Sequence, residues 1–303
     1  MVIVQLMGGL GSQMSQYAFA KALQQRGCEV ALDVSHMRHY KLHDLELSRY
    51  PIDLPIATRD QLGKFRPSNP LYRLLDGIRP NNVVLRTLRR LGCAVDHPSV
   101  LRERSHLFNR AFLDVRGDAY LVGDFKSEKY FRGVRETLLR QFSINEPRSG
   151  YFIRTLDSIK NSAISCFIHV RRGDFANDRK TKKIHGVCDP AYYEKAASYV
   201  RSRFPGCSFF IFSNDIPWCK NNLTIDGSIF VENEGRLCPH EDIDLMSQCS
   251  HAVIDHSAFC WWGAWLNKNP EQIVVGPSRW FASDHLEAQS DDIYCEEWHR
   301  LRD

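Results

Sequence analysis

Among its ten cysteines the chain has no Cys-x-x-Cys pair, so the spacing that zinc knuckles and ribbons need is missing. Cysteine is also far scarcer than in a disulfide scaffold, and we expect these thiols to be mostly reduced and buried as small apolar side chains. Long apolar runs are missing as well, since no stretch approaches the roughly 18 residues that a membrane span needs. Low-complexity tracts and short repeats are not visible, which excludes repeat arrays.

A strong charge of either sign is also missing. The 303 residues carry a formal net charge of +4, with 43% hydrophobic and 25% charged residues, which is typical of a soluble globular protein. Such a mild charge does not indicate nucleic-acid binding. The opening segment 1–6 is predicted to be a strand and not a secretion signal, because it lacks a basic leader and its apolar run is short. We therefore expect a cytoplasmic protein.

The segment 66–110 lacks lysine, although it holds nine arginines and only three acids. Two interpretations remain open for it. The arginines can lie on solvated helix faces, or they can form a surface for an anionic membrane or a lipid-linked acceptor. The second interpretation predicts a peripheral contact with the inner face of the cell membrane.

Both halves of the chain begin with a strand, a loop and a helix. In the first half the pattern predicts a strand at 2–7, a glycine turn at 8–11, a helix at 13–26 and a second strand at 29–34. This order is the beginning of a βαβ unit.

The second half follows a predicted linker at 145–150 and repeats the alternation. Its predicted strands are 164–170, 208–212, 252–254 and 273–277, and its predicted helices are 190–203, 242–248 and 261–266. Two blocks of alternating strands and helices predict an α/β protein with two doubly wound, Rossmann-like domains, at 1–150 and 151–303, facing a cleft.

The strand 164–170 ends in a histidine and two arginines, and we call residues 171–174 the arginine loop. Adjacent residues on a strand face opposite ways, so at least one of Arg171 and Arg172 must point inward or at a ligand. The rigid donor fork of arginine suits phosphate oxygens. The segment therefore predicts a diphosphate held at the carboxyl end of a strand.

The glycine turn is less specific. Gly9 and Gly11 follow a strand, and Asp33 ends the next one, which mimics a dinucleotide fingerprint and leaves a nicotinamide-dependent oxidoreductase as an alternative. Met14 stands where that fingerprint has its third glycine. Other readings are a plain tight turn, or a loop whose backbone N–H groups approach phosphates. In the last reading Ser12 and Gln13 cap the helix or touch the ligand.

Metal binding is not expected. The segment 242–244 has the Asp-x-Asp pattern of metal-dependent sugar transferases, but no strand flanks it to present the carboxylates. Three histidines nearby lack the spacing of metal ligands on one helix face, namely His240, His251 and His256.

The aromatic run 261–265 is either core or partly a pocket wall. Ser257, just before it, stands where a helix N-terminus would meet an anion.

Taken in order, the motifs resemble those of the bacterial α-1,2-fucosyltransferases, glycosyltransferase family eleven. The resemblance spans nearly the whole chain and rests on the segments 7–19, 123–131, 169–174, 185–188, 212–215, 242–247, 257–266 and 277–281. It implies a GT-B architecture with the acceptor on the N-terminal domain and the donor on the C-terminal domain. It also implies transfer of L-fucose from GDP-fucose, with inversion, to the 2-hydroxyl of a terminal β-galactoside, which can be lipid-linked.

The resemblance further implies that no metal or other cofactor is required. The context it suggests is the synthesis of O-antigen or another surface polysaccharide. A GT-B transferase that uses a different GDP-sugar is the nearest alternative.

The same resemblance assigns roles to individual residues. Arg171 should hold the departing diphosphate, with Arg172 beside it or braced by Asp174, and His169 should help to bind the guanine. The other implied donor-binding residues are Gly9, Gly11, Ser12, Gln13, Asp215, Asp242, Ser257 and Phe259.

The general base stays open among four residues of motif-bearing loops, each of which can equally be a cap, an ion-pair partner or a turn residue. These acceptor or base candidates are Asp33, Asp124, Glu128 and His185.

The chain departs from the family pattern around the expected donor cleft. Ser12 stands where the family has asparagine, and Ser15 where it has phenylalanine. The family run Asn-Ser-Ser/Thr-Phe-Ser is replaced by His-Ser-Ala-Phe-Cys at 256–260. These departures bear on donor affinity, rate and donor identity.

Overall fold

The computed structural model describes residues 1–37, 44–65, 84, 87–88, 91, 97–144, 148–233 and 238–301. Most of the arginine-rich segment 66–110, the centre of the predicted linker 145–150 and the side chain of Asp174 lie outside that description, so the predictions for them stay predictions. The chain forms two compact units. The first comprises Met1–Leu45, Ile52–Arg104 and Phe108–Arg135, and the second comprises Glu46–Pro51, Ser105–Leu107 and Glu136–Asp303.

The first unit contains a parallel sheet of four strands in the order β2-β1-β4-β3. Its strands are β1 (Val2–Gln5), β2 (Val30–Asp33), β3 (Val100–Arg102) and β4 (Ala119–Val122). Its helices are α1 (Leu10–Gln25) and α2 (Arg59–Gly63), with short 3-10 turns at Arg110–Phe112, Glu128–Tyr130 and Arg132–Val134.

The predicted glycine turn is wrong at its second half, because α1 begins at Leu10 and not at residue 13. Gly8 alone takes the left-handed conformation, with φ of +79°. The side chain of Gln16 fixes the turn: its Oε1 accepts from Met7 N at 2.9 Å, and its Nε2 donates to Gly123 O at 3.1 Å. One glycine is therefore enough to turn the chain, and Gly11 is free to join the helix.

The second unit contains a parallel sheet of six strands in the order β10-β9-β8-β5-β6-β7. Its strands are β5 (Ser165–Val170), β6 (Ser208–Ser213), β7 (Ser228–Phe230), β8 (His251–Val253), β9 (Val274–Pro277) and β10 (His299–Leu301). Read from β7, the strands follow the Rossmann order 3-2-1-4-5-6. The order reverses between β5 and β8, the switch point where such sheets bind ligands.

Helices flank this sheet, and most begin at a side-chain cap. They are α3 (Arg135–Gln141), α4 (Gly150–Asn161), α5 (Gly173–Asn177), α6 (Arg179–His185), α7 (Pro190–Arg203), α8 (Ile216–Asn222), α9 (Pro239–Gln248), α10 (Ala258–Trp265) and α11 (Asp284–Glu287). Asp189 caps α7, which has Pro190 in its first turn and the predicted bounds 190–203. Asp215 and Ser257 cap α8 and α10 in the same way, by accepting a backbone N–H.

The core of the second unit contains every residue of β5, all of which are buried. The aromatic run of α10 is core and not a pocket wall, since Trp262 is fully buried and Trp261 donates its Nε1–H to Ile293 O at 2.7 Å. None of the cysteines in the described part of the chain forms a disulfide, and most are buried, which confirms their predicted role as apolar side chains.

The fold is therefore α/β with parallel, helix-flanked sheets, as predicted. The division at residue 150 and the assignment of acceptor and donor sides stay predictions. In the part of the chain that the structure describes, no helix combines the length and apolar character needed to cross a membrane.

Gly263 tests the packing of α9 against α10. A Cβ at this position would lie 2.8 Å from Met246 Cβ, which cannot move without moving the α9 backbone. We expect Gly263→Ala to lower the free energy of unfolding in urea by roughly 1–3 kcal/mol, the usual cost of overpacking. Gly133→Ala is the matched control, because a Cβ there meets nothing within 4 Å. Equal stability of the two variants would contradict the close packing.

Candidate functional site

The switch point of the second sheet brings together two strand ends that are far apart in sequence. β5 and β8 are neighbours, with Ile168 paired to Val253. Arg171 directly follows β5, and Asp255 lies two residues beyond β8. The site is thus at the carboxyl edge, where backbone N–H groups and side chains converge on a ligand in doubly wound folds.

Asp255 organises this edge, although the residue is only 2% exposed. Its Oδ2 accepts from the backbone N of Arg171 at 2.5 Å and lies 3.0 Å from Nδ1 of His169. Its Oδ1 accepts from the backbone N of Ser257 at 2.9 Å and from Cys260 Sγ at 3.2 Å. One buried carboxylate therefore ties the exit of β5 to the start of α10.

The pKa of Asp255 lies below its ordinary value despite this burial. Burial acts to raise the pKa, but the neighbouring His169 and the hydrogen bond from the Arg171 backbone outweigh it. Asp255 therefore carries its negative charge at neutral pH. Removing its partners would leave a buried charge without compensation.

The arginine loop is also held from the side of β6. The backbone N of Arg172 donates to Asn214 Oδ1 at 2.8 Å, and Ser213 Oγ donates to Val170 O at 2.7 Å. Gly173 takes a φ of +38°, and a Cβ there would lie 2.2 Å from Asn214 Nδ2. Only glycine lets the chain pass so close to Asn214.

The two guanidinium groups lie over aromatic rings. The Cζ atom of Arg171 is 5.5 Å from the ring centre of Phe175, and that of Arg172 is 3.8 Å from Trp218. Nε of Arg172 is buried without a hydrogen-bond acceptor, and no carboxylate of the described residues forms an ion pair with this guanidinium. A buried donor without an acceptor in the protein can be satisfied by an anionic ligand.

Asp242 lies close enough to His169 to interact with it electrostatically, and it accepts from Tyr151 OH at 2.7 Å. Burial raises the pKa of Asp242 to about 6, while the Tyr151 hydrogen bond and His169 partly offset this rise. Asp244, the second acid of the Asp-x-Asp pattern, forms an ion pair with Arg148 at 2.5 Å. The two acids thus have separate protein partners, an arrangement unlike a shared metal site.

The remaining candidates of this unit make helix caps and ring contacts. Ser257 Oγ accepts from Phe259 N at 3.2 Å, and the Phe259 ring lies 5.4 Å from that of His169. Asp215 caps α8 through Trp218 N at 3.2 Å. His185 lies between rings, stacked on Phe175 at 4.8 Å.

The structure thus gathers His169, Arg171 and Ser257 around Asp255, with Phe259 against the ring of His169. Asp215 and His185 lie at the flanking elements and do not contact Asp255. Asp174 is helical in α5, and its side chain lies outside the described part of the structure.

The glycine-turn residues belong to the first unit. Gly9 is the N-cap position of α1, and Gly11 lies within the helix with Ser12 beside it. Gln13 is fully buried and donates its amide to the carbonyls of Gly8 and Asp44, both at 2.9 Å. This geometry favours a supporting role for Gln13 in the loop, while its place in donor binding stays a prediction.

The acceptor or base candidates of the first unit differ in how far their side chains are engaged. Asp33 is buried and accepts from Tyr120 OH at 2.5 Å and from the backbone N of Ser35 at 2.8 Å. Asp124 lies 3.3 Å from Lys126 Nζ, and Glu128 begins a 3-10 turn.

The sequence reasoning missed Glu103, which follows β3. Its Oε2 accepts from the backbone N of both Asp124 and Phe125 at 2.8 Å, and Phe125 has a φ of +47°. Burial raises the pKa of Glu103 to about 7, although the Phe125 hydrogen bond lowers it. No sequence motif marks this residue, because its partners lie more than twenty positions away.

The reasoning also missed Asp255 and gave Asn214 no role. A signal for Asp255 was present, since it directly follows a predicted buried strand, as Arg171 does. Of the described residues, His169, Asp255 and Cys260 have donor atoms close enough to hold a metal ion, all within 4.8 Å of one another. The hydrogen bonds among them account for this proximity.

Comparisons with known proteins agree on one class. The model of the family described as Glycosyl transferase family 11 matches residues 104–302. An alpha-1,2-colitosyltransferase of Escherichia coli is 28% identical over 99% of this chain and 98% of its own length. The O-antigen biosynthesis glycosyltransferase WbnK of the same species is 29% identical over 92% of this chain and 95% of its own length. The galactoside alpha-(1,2)-fucosyltransferase 2 of Rattus norvegicus is 26% identical over 88% of this chain and 67% of its own length.

The chain belongs to glycosyl transferase family 11 and is a glycosyltransferase. Its fold is of the GT-B type. The solved structure of NodZ alpha-1,6-fucosyltransferase co-crystallized with GDP shares it with a TM-score of 0.51 and 15% identity, over 90% of this chain and 94% of that one. The resemblance inferred from the motifs is thereby confirmed.

The raised pKa of Asp242 makes stability depend on pH. A folded-state pKa of about 6 against 3.8 means that charging Asp242 destabilises the fold progressively as pH rises through this window. Asp242→Asn removes the cost, so its stability relative to the parent protein should increase between pH 4.5 and 7.5, by at most about 3 kcal/mol. Urea unfolding at both values measures this. Asp189→Asn, at an exposed cap, is the control; a pH-independent difference for Asp242→Asn would contradict the assignment.

Proposed function

We propose that this protein transfers L-fucose from GDP-fucose to the 2-hydroxyl of a terminal β-galactoside, with inversion at the anomeric carbon. The observation that carries the proposal is the pair of guanidinium groups at the carboxyl end of β5, next to the switch point. The buried Nε of Arg172 lacks an acceptor there, which suits a diphosphate oxygen.

The chemistry requires donors where negative charge develops. When GDP leaves, charge grows on the β-phosphate while the acceptor hydroxyl attacks the opposite face of the sugar. Guanidinium groups held in place before the reaction stabilise this charge without reorganising during it. Cation–π contacts with Phe175 and Trp218 and the backbone bonds to Asp255 and Asn214 are what hold them.

The acceptor proton needs a general base, and the acceptor is assigned to the first domain. Among the candidates there, Asp33 already accepts three hydrogen bonds, whereas Asp124 lies beside a lysine. The Asp124 loop is anchored by Glu103. The general base therefore stays open among Asp33, Asp124, Glu128 and His185. An acceptor carried on a lipid at the membrane surface is compatible with the arginine-rich segment 66–110.

Colitose is the second candidate for the transferred sugar, because the colitosyltransferase relative matches the chain over almost its whole length. Colitose differs from L-fucose by the loss of one ring hydroxyl. A site that hydrogen-bonds this hydroxyl would reject the deoxy sugar strongly, whereas a site that does not would discriminate weakly. The altered run 256–260 lies at the loop where such a difference can arise.

A donor panel tests the proposal. We expect GDP release with GDP-fucose and a β-galactoside acceptor such as lactose, exceeding that with GDP-colitose or GDP-mannose, and an α-1,2 linkage by NMR. Faster turnover of GDP-colitose would make colitose the substrate.

Two further tests address the alternatives. NADH should not bind; a change in nicotinamide fluorescence on mixing would favour the oxidoreductase alternative. Excess EDTA should leave the rate unchanged, and strict dependence on added manganese would contradict a metal-free mechanism.

Arg171→Lys tests the diphosphate contact. A lysine keeps the charge but cannot make the forked contact with two oxygens. We expect turnover of the preferred donor to fall about a hundredfold or more, which is the typical loss for one charged transition-state donor. Arg203→Lys, on the exposed surface of α7, is the matched control and should retain the parent rate. Near-normal turnover by Arg171→Lys would remove this residue from the mechanism.

A further inference from the structure

Asp255 has no place among the residues that sequence motifs assign to donor binding, yet it holds the site together. The preceding residue, Ile254, is fixed through both its backbone N–H and its backbone C=O. Ile254 N donates to Val275 O at 2.9 Å, which continues the pairing with β9, and Ile254 O accepts from Tyr192 OH at 2.6 Å. Asp255 therefore projects from a rigid part of the sheet.

The four partners of the carboxylate fall into two groups. Arg171 N and His169 Nδ1 belong to the exit of β5, and Ser257 N and Cys260 Sγ belong to the start of α10. All of them converge on one buried side chain. The carboxylate thus spans the switch point and fixes both walls of the expected ligand crevice.

Loss of the carboxylate would affect the arginine loop first. The N–H of Arg171 would lose its acceptor in a partly buried position, and a buried N–H without a partner is costly. The imidazole of His169 would lose the partner that fixes which ring nitrogen carries the proton. Both changes loosen the backbone from which the Arg171 side chain extends.

We propose that Asp255 is a positioning residue that presets the arginine loop for the donor diphosphate, through its hydrogen bond to the Arg171 backbone and its contact with His169. Asp255 does not touch the donor itself. The inference rests on the proposed function, since it specifies how the phosphate-binding arginine is aimed. It also assigns a use to the carboxylate that is buried at the switch point.

The test compares Asp255→Asn with Asp189→Asn, the same substitution at an exposed helix cap of the same unit. Asparagine keeps the shape of the side chain but has one acceptor oxygen and no charge. We expect the GDP affinity of Asp255→Asn, measured by calorimetry, to fall about ten- to a hundredfold. The donor KM should rise and kcat should fall, while the acceptor KM stays unchanged. Asp189→Asn should match the parent protein in all four quantities.

A double-mutant cycle separates positioning from general loosening of the fold. If Asp255 acts through Arg171, the variant Asp255→Asn/Arg171→Lys should bind GDP about as weakly as the weaker single variant. Multiplicative losses, or an acceptor KM that rises together with the donor KM, would overturn the proposal. Unchanged GDP binding by Asp255→Asn would also overturn it.

Failure of the inference differs from failure of the proposed function. If the parent protein neither binds GDP nor transfers a sugar from any GDP-sugar, the proposed function is wrong. If it does both and Asp255→Asn behaves the same, only the positioning role is wrong. Should Asp255→Asn not fold, amide hydrogen exchange of the parent protein decides: slow exchange of the Arg171 N–H supports the contact, and exchange as fast as in an open loop overturns it.

Discussion

The buried negative charge at the carboxyl end of β8 is the constraint on which the rest of the site depends. A carboxylate removed from water must be surrounded by donors, because an uncompensated buried charge is strongly destabilising. Asp255 meets this need with two backbone N–H groups, a histidine and a thiol. The requirement acts in both directions: the donors stabilise the charge, and the charge holds the ends of β5 and β8 in one geometry.

The sequence predicted most helices and strands because each depends mainly on residues close to it in the chain. The largely apolar run of β5 and the proline at the start of α7 depend on neighbours within a few residues. The predicted start of α1 was wrong, because Gln16 fixes the preceding turn through a contact with Gly123, which lies 107 positions away in sequence. The arginine loop was found by its composition, whereas Asp255 required knowing that β8 lies next to β5, which periodicity does not reveal.

The departures from the family pattern at 256–260 fit this picture physically. Cys260 donates its thiol to Asp255, and His256 lies 3.4 Å from Cys188 Sγ, so both replaced side chains engage groups inside the chain. Burial lowers the pKa of His256, although Asp255 acts to raise it. Both side chains therefore contact groups within the chain, beside the residue Ser257 that we propose binds the donor.

Two carboxyl groups near His169 have pKa values shifted in opposite directions, because burial prevails at Asp242, whereas at Asp255 the neighbouring His169 and the hydrogen-bond donors outweigh burial. Asp255 accepts hydrogen bonds from backbone N–H groups and contacts His169, and its pKa lies below the usual value. Asp242 has a single hydroxyl donor, and its pKa rises to about 6. Near that pH the proposed diphosphate site contains one permanent negative charge, that of Asp255, and one that protonation removes, that of Asp242. Because fixed N–H groups compensate the charge of Asp255, the arginines keep their positive potential for the diphosphate that we propose they bind.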